Sequence, residues 1–256
     1  MSLAQRRGLN GRADTQALLG DRVRVVRLRP RWAKVVVPDQ PTPTDARGYP
    51  GWVPRRQLTA TPPAAGTTTA TVVSRLAWLR EDTAGGARVL RVSFGTRMPV
   101  VGSTGSWVRV TMPRGAVRRV RATQVSVHAP GDPALPATRA SVVASAKGFV
   151  GLDYLWAGRS GFGFDCSGLT SLVYRVHGVR IPRDASPQST AGQPVDRLRR
   201  GDLMFYADAG GVHHVSMYVG KGRMVHSPRT GTPVQVIDVD TPAYAREYAG
   251  ARRYLS

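Results

Sequence analysis

Short runs in which apolar and polar residues alternate fill the first half of the chain and predict β-strands. Examples are residues 23–26 and 107–110, residues 32–37 form a further strand-like run, and the segments between such runs are rich in proline, glycine and aspartate. An alternating strand buries one face, and many short strands separated by turns are typical of small antiparallel sheets. We therefore predict two small β-barrels, formed by residues 1–62 and 67–130, with a linker rich in proline and threonine between them.

A tryptophan followed by alternating valines occurs once in each predicted barrel, at Trp32–Val35 and at Trp107–Val110. This echo indicates two related units of roughly 60 residues each. Arginines alternate with apolar residues over 22–31 and again over 114–121, which places them on the outward faces of the predicted strands.

The pattern changes in residues 137–256, where helical and strand-like periodicities are combined. An amphipathic helix is predicted for residues 140–150, and apolar residues three and four apart after residue 166 predict a second helix with one buried face. Helices that precede an antiparallel sheet predict an α+β fold. The strand-like runs that follow the helices are residues 202–206, 214–219, 223–226 and 234–239.

The charge is strongly unbalanced, with 37 Lys and Arg against 16 Asp and Glu, a formal net charge of +21. Such a chain attracts polyanions. No nucleic-acid-binding motif and no basic helix with interleaved aromatic residues is found, so nucleic acid is not the predicted partner. We interpret the arginines as solvated strand faces that add a weak attraction for an anionic cell-wall polymer.

The chain has no apolar run of about 18 residues, so no membrane span is predicted. The first residues lack the apolar core of a signal peptide. Localisation therefore stays open between the cell wall, if a signal was removed, and the cytoplasm. The sole cysteine, Cys166, excludes an intrachain disulfide.

Cys166 is also the strongest chemical signal in the chain. It follows a glycine-rich approach and an aspartate, at the predicted start of a helix. The first turn of a helix favours a thiolate, and a lone cysteine with histidines elsewhere is a candidate nucleophile. The alternative is an inert, buried structural cysteine. The polar flanking residues Asp165 and Ser167 favour the nucleophile, and the cysteine and histidine spacings predict neither metal nor other cofactor.

The last 120 residues or so resemble the NlpC/P60 cysteine peptidases. The resemblance implies a papain-like fold and bacterial peptidoglycan stem peptides as substrates. It is specific because five motifs occur in the order and spacing of that family. These motifs are Gly151–Gly158, Phe164–Leu169, Arg200–Tyr206, His213–Gly220 and Met224–Ser227.

The two predicted barrels resemble bacterial SH3 (SH3b) domains, the first more clearly, through Leu18–Asp21 and Gly48–Pro54. Two such domains before an NlpC/P60 domain are similar to the γ-D-glutamyl-L-diamino-acid endopeptidases of the dipeptidyl-peptidase VI type. The chain departs from the pattern at Ala157, where a glycine is usual. The opening strand of the first barrel is either absent or lies in residues 1–12.

The resemblance implies that Cys166 is the nucleophile, His214 the general base and acid, and His226 the group that orients His214. Strand phase separates His214 from its neighbour, because Val215, Met217 and Val219 share the face predicted to be the core. His213 is therefore expected on the Val215 side or at the start of the strand, outside the mechanism. His128 and His177 have no motif around them and are predicted at the surface.

Tyr154 and the backbone N–H of Cys166 are the candidate donors to an oxyanion, although Tyr154 could instead be a packing residue. Asp165 is predicted to cap the helix, and the resemblance implies that it also binds the α-amine of the substrate's L-alanine. Ser167 would add a polar contact at the same end of the substrate.

Three further residues are predicted to bind substrate by resemblance. Arg183 and Asp184 belong to a stretch that would form one wall of the groove, with helix capping as the alternative for Asp184. Tyr49, in the first barrel, would meet the amine end of the substrate, or serve only in packing.

These observations predict a cysteine peptidase that cleaves the bond between γ-D-glutamate and a diamino acid, whether diaminopimelate or lysine. A groove closed by the first barrel would restrict the enzyme to peptides with a free N-terminal L-alanine, whereas an open groove would admit intact peptidoglycan. The alternatives are a non-catalytic wall-binding protein and an amidase or acyltransferase on the same scaffold.

Overall fold

The computed structural model describes residues 1–64 and 66–255, which form helices α1–α5 and strands β1–β18. The helices are α1 (Leu3–Arg7), α2 (Arg139–Lys147), α3 (Cys166–Val176), α4 (Ala185–Thr190) and α5 (Pro242–Glu247). All strand pairs between these elements are antiparallel.

The first sheet has three strands in the order β1-β2-β3, namely β1 (Arg24–Leu28), β2 (Trp32–Val37) and β3 (Tyr49–Pro54). Every residue of β1 is exposed, whereas β2 alternates and buries Ala33 and Val35. Residues 3–7 are helical, so the opening strand that was one expectation for residues 1–12 is not there.

The second sheet has seven strands in the order β10-β4-β7-β8-β9-β5-β6. Its inward residues, including Leu79, Val110 and Val120, form a core of their own. The outward residues of the same strands are mainly arginine and tryptophan, as the alternation predicts. The strands are β4 (Thr69–Val72), β5 (Leu76–Glu81), β6 (Arg88–Ser93), β7 (Arg97–Thr104), β8 (Trp107–Thr111), β9 (Val117–Arg121) and β10 (Val125–His128).

The third unit packs α2 and α3 against a six-stranded sheet of order β13-β18-β14-β15-β16-β17 and carries a short hairpin, β11-β12. This arrangement confirms the predicted α+β fold. The strands are β11 (Arg159–Ser160), β12 (Gly163–Phe164), β13 (Gln193–Pro194), β14 (Leu203–Asp208), β15 (Gly211–Gly220), β16 (Arg223–His226), β17 (Gln235–Asp238) and β18 (Tyr248–Arg253).

Helix α3 is buried more completely than its periodicity predicts. Residues 167–174 are all buried, because the sheet, α2 and the side chains of Leu18 and Phe94 from the preceding units surround the helix. Its polar residues have partners, as buried polar groups require. Thr170, for example, donates to the side chain of Gln188 at 2.9 Å.

His177, predicted at the surface, is fully buried at the end of α3. Its Nε2 lies 3.0 Å from Ser145 Oγ on α2, and its Nδ1 lies 2.6 Å from the carbonyl oxygen of Pro136. The histidine thus closes the helix end against the preceding linker, and no motif in the sequence marks that contact. His128 is half-buried, with Nε2 2.8 Å from Thr71 Oγ1.

Arg175 of α3 joins the three units. Its guanidinium donates to Asp21 Oδ1 at 3.1 Å and to the carbonyl oxygen of Gly95 at 2.6 Å. Asp21 lies before the first sheet and Gly95 lies between β6 and β7, so one side chain fixes both preceding units to the helix that begins at Cys166. No helix in the described part of the chain is long and apolar enough to cross a membrane.

Candidate active site

A cleft of about 330 Å³ opens at the N-terminus of α3 and is shared between two units of the chain. The third unit contributes Tyr154, Cys166 and Asp184 to it, and the N-terminal unit contributes Asp14 and Tyr49. Because the two sets face each other across the cleft, neither unit forms the cleft alone. The remaining lining residues are Ala13, Trp156, Ala157, Asp165, Ser167, Ala185, Ser186, Val212 and His213.

The backbone of the loop before α3 places Cys166 at the start of the helix. Ala157 adopts a left-handed backbone with φ of 58°, the conformation that explains why a glycine is usual at this position. At Gly158 a Cβ atom would lie 2.5 Å from the carbonyl oxygen of Gly163, so only glycine fits. Asp165 then caps the helix, with Oδ1 accepting from the N–H of Gly168 at 2.6 Å, as predicted.

The Cys166 sulfur is partly exposed to the cleft, but its surroundings favour the neutral thiol. Burial, followed by the neighbouring Asp165 carboxylate, raises the pKa of Cys166 to about 12. The backbone N–H groups of Val215 and Ser167 act in the opposite direction and are outweighed. The helix start favours a thiolate, as expected, but burial and Asp165 outweigh it.

We expect the rate at which iodoacetamide alkylates Cys166 to rise with pH without reaching a plateau near neutrality. Only the thiolate reacts, and below a raised pKa its fraction grows about tenfold per pH unit, here from roughly pH 6 to 9. Because the chain has one cysteine, the mass gain reports on this residue alone. A rate that levels off below pH 7 would instead show a preformed ion pair.

Two histidines from adjacent strands form a hydrogen-bonded pair, and the first of them precedes Val215, whose backbone N–H faces the Cys166 sulfur. His214 Nε2 lies 2.9 Å from His226 Nδ1, and His226 Nε2 lies 3.2 Å from the side-chain nitrogen of Gln235. Burial, with His226 and His213 as smaller contributions, lowers the pKa of His214 to about 3, and burial lowers the pKa of His226 to about 4. Both rings are therefore neutral near pH 7.

Strand phase places these histidines as expected. Val215 and Met217 lie in the core beneath α3, and His214 lies on the opposite face of the sheet. His213 is the extra residue of a β-bulge, because Tyr206 pairs with His214 while the next residue of β14 pairs with Val212. The bulge turns His213 toward Glu247, with 3.4 Å between Nε2 and Oε2, and leaves it half-exposed.

The geometry defines which nitrogen can serve the sulfur. His214 commits Nε2 to His226, so Nδ1 is the ring nitrogen left for the thiol of Cys166. The backbone N–H of Val215, the next residue after His214, faces that sulfur. For Nδ1 to accept the thiol proton, neutral His214 has to donate from Nε2 to His226 Nδ1, and His226 from Nε2 to the amide oxygen of Gln235, which an amide flip brings to the position of the nitrogen. In that tautomer His214 can take a proton from the thiol and return it to a leaving group.

Two aromatic rings and one amide at this site were missed by the sequence-based prediction. The ring centroid of Tyr244 lies 5.5 Å from His214 and 4.9 Å from His226, and that of Tyr206 lies 5.5 Å from His214. They enclose the histidine pair and exclude water from it. Gln235 pairs with His226 in the register of β16 and β17, and it lies in the strand-like run at 234–239 that the sequence displays. Tyr244 follows the last recognisable motif, so no signal in the sequence marks it.

Asp165 is held by a buried ion pair. Arg183 donates to Asp165 through two nitrogens, at 2.6 and 3.1 Å, and also to Ser167 Oγ at 2.9 Å and Thr15 Oγ1 at 2.8 Å. Asp165, Ser167 and Arg183 therefore lie together as one network. Arg183 itself is almost fully buried, so within this network it orients Asp165 and Ser167, while those two residues line the cleft.

Replacement of Arg183 by glutamine is expected to lower the free energy of unfolding by about 3 to 5 kcal/mol, the cost of leaving a buried charge unpaired. Asp165 would lose both guanidinium bonds. The matched control is Arg246→Gln, which removes the same charge from an exposed position. Urea denaturation of both variants measures the difference, and equal stabilities would contradict a structural role for the pair.

Tyr49 and Asp184 meet across the cleft from opposite units. The Tyr49 hydroxyl and the Asp184 carboxylate share a hydrogen bond, and burial and this carboxylate together raise the pKa of Tyr49. Asp184 precedes α4 without capping it through its side chain, so the capping alternative is wrong. Asp14 lines the same end of the cleft and was not predicted, since its segment carries no motif.

Comparisons with known proteins agree with this architecture. Residues 151–253 match the NlpC/P60 family, and residues 72–128 match the second SH3b domain of the YKFC type. Residues 1–62 remain an SH3b domain by resemblance only, and the three predicted domain boundaries stay predictions.

Two curated relatives are similar over most of the chain, and both are named gamma-D-glutamyl-L-lysine dipeptidyl-peptidase. The relative from Bacillus cereus is 44% identical over 94% of this chain and 75% of its own length. The relative from Bacillus subtilis is 36% identical over 95% of this chain and 81% of its own length.

A crystal structure of an NlpC/P60 family protein from Bacillus cereus superimposes with a TM-score of 0.92. It is 40% identical, and the match covers all of this chain and 87% of that one. The fold, the motifs and the near full-length relatives therefore agree, and this chain belongs to the NlpC/P60 family of cysteine peptidases.

Proposed function

We propose that the protein hydrolyses the bond between γ-D-glutamate and the diamino acid in peptidoglycan stem peptides that have a free N-terminal L-alanine. The names of the two curated relatives support this substrate class. The observation that carries the proposal is the closure of the cleft by Asp14 and Tyr49 of the N-terminal unit, opposite Cys166. A groove closed at that end accepts a peptide terminus and excludes a chain that continues into a glycan.

Acidic groups make the closed end suitable for an ammonium group. Asp14 and Asp184 both line it, and the Asp184 carboxylate is 42% exposed. Asp165 is buried and shares its charge with Arg183, so it contributes less net attraction. A free α-amine placed here would receive charge-assisted hydrogen bonds, and an acylated nitrogen would not.

In the proposed reaction, the sulfur of Cys166 attacks the γ-carbonyl carbon of D-glutamate while His214 takes the thiol proton. The carbonyl oxygen becomes an oxyanion, and the N–H of Cys166 and the phenol of Tyr154 are the proposed donors to it. Burial, with the neighbouring Asp165 carboxylate as a smaller contribution, raises the pKa of Tyr154, so its hydroxyl keeps the proton that it donates.

The C–N bond then breaks, and the amine of the diamino acid leaves with the proton carried by His214. The γ-glutamyl thioester that remains is attacked by water, whose proton passes to His214. The C–S bond breaks, the thiol is restored, and L-Ala-γ-D-Glu is released. His226 holds the ring of His214 through both proton transfers.

The test is mass spectrometry of digests of three substrates: L-Ala-γ-D-Glu-L-Lys, its diaminopimelate counterpart, and intact sacculi. We expect L-Ala-γ-D-Glu and the free diamino acid from the tripeptides, and no soluble product from sacculi. Release of stem peptides from sacculi at a comparable rate would contradict the closed end. Cleavage of the bond between muramic acid and L-alanine would instead identify an amidase.

A further inference from the structure

The outward face of the second sheet carries a continuous group of tryptophans and arginines. Strands β8, β9, β5 and β6 are neighbours, and their register sets Trp107 beside Arg121 and Trp78 beside Arg91. On β5, β8 and β9 the residues next to them, Leu79, Val108 and Val120, lie in the core. We call this group the Trp–Arg face; its members are Trp78, Arg80, Arg88, Arg91, Trp107, Arg119 and Arg121.

The guanidinium groups of this face lie against indole rings. Over Trp107, the Arg121, Arg119 and Arg80 carbons lie 4.0, 4.5 and 5.9 Å from the ring centroid. Over Trp78, those of Arg88 and Arg91 lie 5.3 and 5.7 Å away. Stacking restrains each guanidinium. Arg80 also donates to the carbonyl oxygen of Gly86 at 3.0 Å and Arg121 to Ser106 Oγ at 2.7 Å, and each of these two groups keeps further N–H donors for a ligand.

Within residues 1–64 and 66–255, the arginines of this face have no carboxylate partner. Residues 67–128 contain ten arginines and two acidic residues, and one of those two, Asp82, is bonded by Arg109. In the described residues no aspartate or glutamate lies within 4.0 Å of any arginine of the Trp–Arg face. Such a concentration of like charge is unfavourable until an anion neutralises it.

One buried polar atom on this face also lacks a partner. The Nε of Arg119 is shielded from solvent, and no hydrogen-bond acceptor in the described residues reaches it. A buried donor without an acceptor destabilises a protein. Arg119 stacks on Trp107, which lines the neighbouring cavity, although Arg119 itself does not line it. This observation is independent of the net charge.

The face borders a cavity of about 560 Å³, a volume in the range of small-ligand sites. Both tryptophans and three arginines line it, together with the hydroxyls of Ser106 and Thr123 and the amide of Gln124. Flat apolar rings, guanidinium forks and neutral hydrogen-bonding groups are thus combined in one concavity that holds no acidic side chain.

We propose that the Trp–Arg face is a second binding site, which takes an anionic glycan of the cell wall. The indoles would stack on sugar rings, and the guanidiniums would bind carboxylate or phosphodiester groups in bidentate fashion. The choice of a wall polymer among polyanions rests on the proposed function. The site shares no residue with the catalytic cleft and would hold the enzyme where its substrates are generated.

The test uses the full-length chain with Cys166→Ala, so that no substrate is cut. Binding of a glucosylated poly(glycerol phosphate), a polyuronate and oligothymidylate is measured at physiological salt. In the site variant, Arg119→Gln and Arg121→Gln are combined. In the matched control, Arg24→Gln and Arg27→Gln remove the same charge from the exposed strand β1.

We expect at least one of the two glycans to bind, and the site variant to bind it at least about tenfold more weakly than the control. Whichever glycan binds more tightly identifies the anionic group. Trp107→Phe, which keeps an aromatic ring, should weaken binding less than the arginine pair. Circular dichroism verifies that each variant is folded.

Three results would contradict the proposed site. They are an equal loss of glycan affinity in the control variant, tighter binding of oligothymidylate than of either glycan, and no glycan binding at all. Tripeptide hydrolysis is measured separately on the arginine variants with Cys166 intact and should be unchanged. A protein that hydrolyses the tripeptide but binds no glycan is therefore distinguished from one that binds glycan but does not hydrolyse the tripeptide.

Discussion

Replacement of Cys166 by alanine should reduce hydrolysis of L-Ala-γ-D-Glu-L-Lys by at least about 10⁴-fold in kcat/KM, as is usual when a covalent nucleophile is lost. The side chain lines the cleft, the backbone N–H of Val215 next to His214 faces its sulfur, and no other thiol exists in the chain to replace it. The measurement is release of lysine by the purified variant and the unmodified protein under the same conditions.

The matched variant is Ser167→Ala, which alters the next residue and leaves the sulfur in place. Ser167 accepts from Arg183 at 2.9 Å, so this change should affect binding more than chemistry. Trapping sharpens the test further, because the γ-glutamyl thioester adds a defined mass to Cys166 alone. Full activity of Cys166→Ala, or acylation at any other residue, would remove the proposed mechanism.

Acetylation of the substrate's N-terminus should lower kcat/KM by about 100-fold or more, because carboxylates at the closed end would lose a charged partner and be left desolvated. Asp14 and Asp184 line that end, and Tyr49 bonds Asp184 there. The comparison is between free and N-acetylated tripeptide, assayed by lysine release.

The control substrate is acetylated on the lysine side chain, which belongs to the departing product. That change should have a much smaller effect. A variant that combines Asp14→Asn and Asp184→Asn should lower activity on the free tripeptide and discriminate poorly between the free and N-acetylated forms, since the two changes remove the same interaction. Persistent discrimination would place amine recognition elsewhere.

Local chemistry was the most predictable part of the site. Glycines before Cys166 and a capping aspartate define where α3 begins, and the alternation after His214 defines which face of the sheet it occupies. Both follow from interactions within a few residues, which a sequence displays directly.

The missed features all depend on contacts between distant segments. The burial of His177 requires α2 and the linker at Pro136, and the place of Asp14 at the cleft requires the N-terminal unit to pack against α3. The protonation state of Cys166 also escaped prediction, because burial and Asp165 outweigh the local helix effect. Sequence periodicity carries no information on such packing.

The contacts between the three units, including those of Arg175, have an evolutionary consequence. Cys166 and both histidines belong to one unit, while Asp14 and Tyr49 on the opposite wall of the cleft belong to another. Arg175 and Arg183 are among the side chains that hold the two units together. Selection could therefore widen or narrow the range of accepted peptides by altering the N-terminal wall alone. A change in the range of accepted peptides therefore need not alter Cys166, His214 or His226.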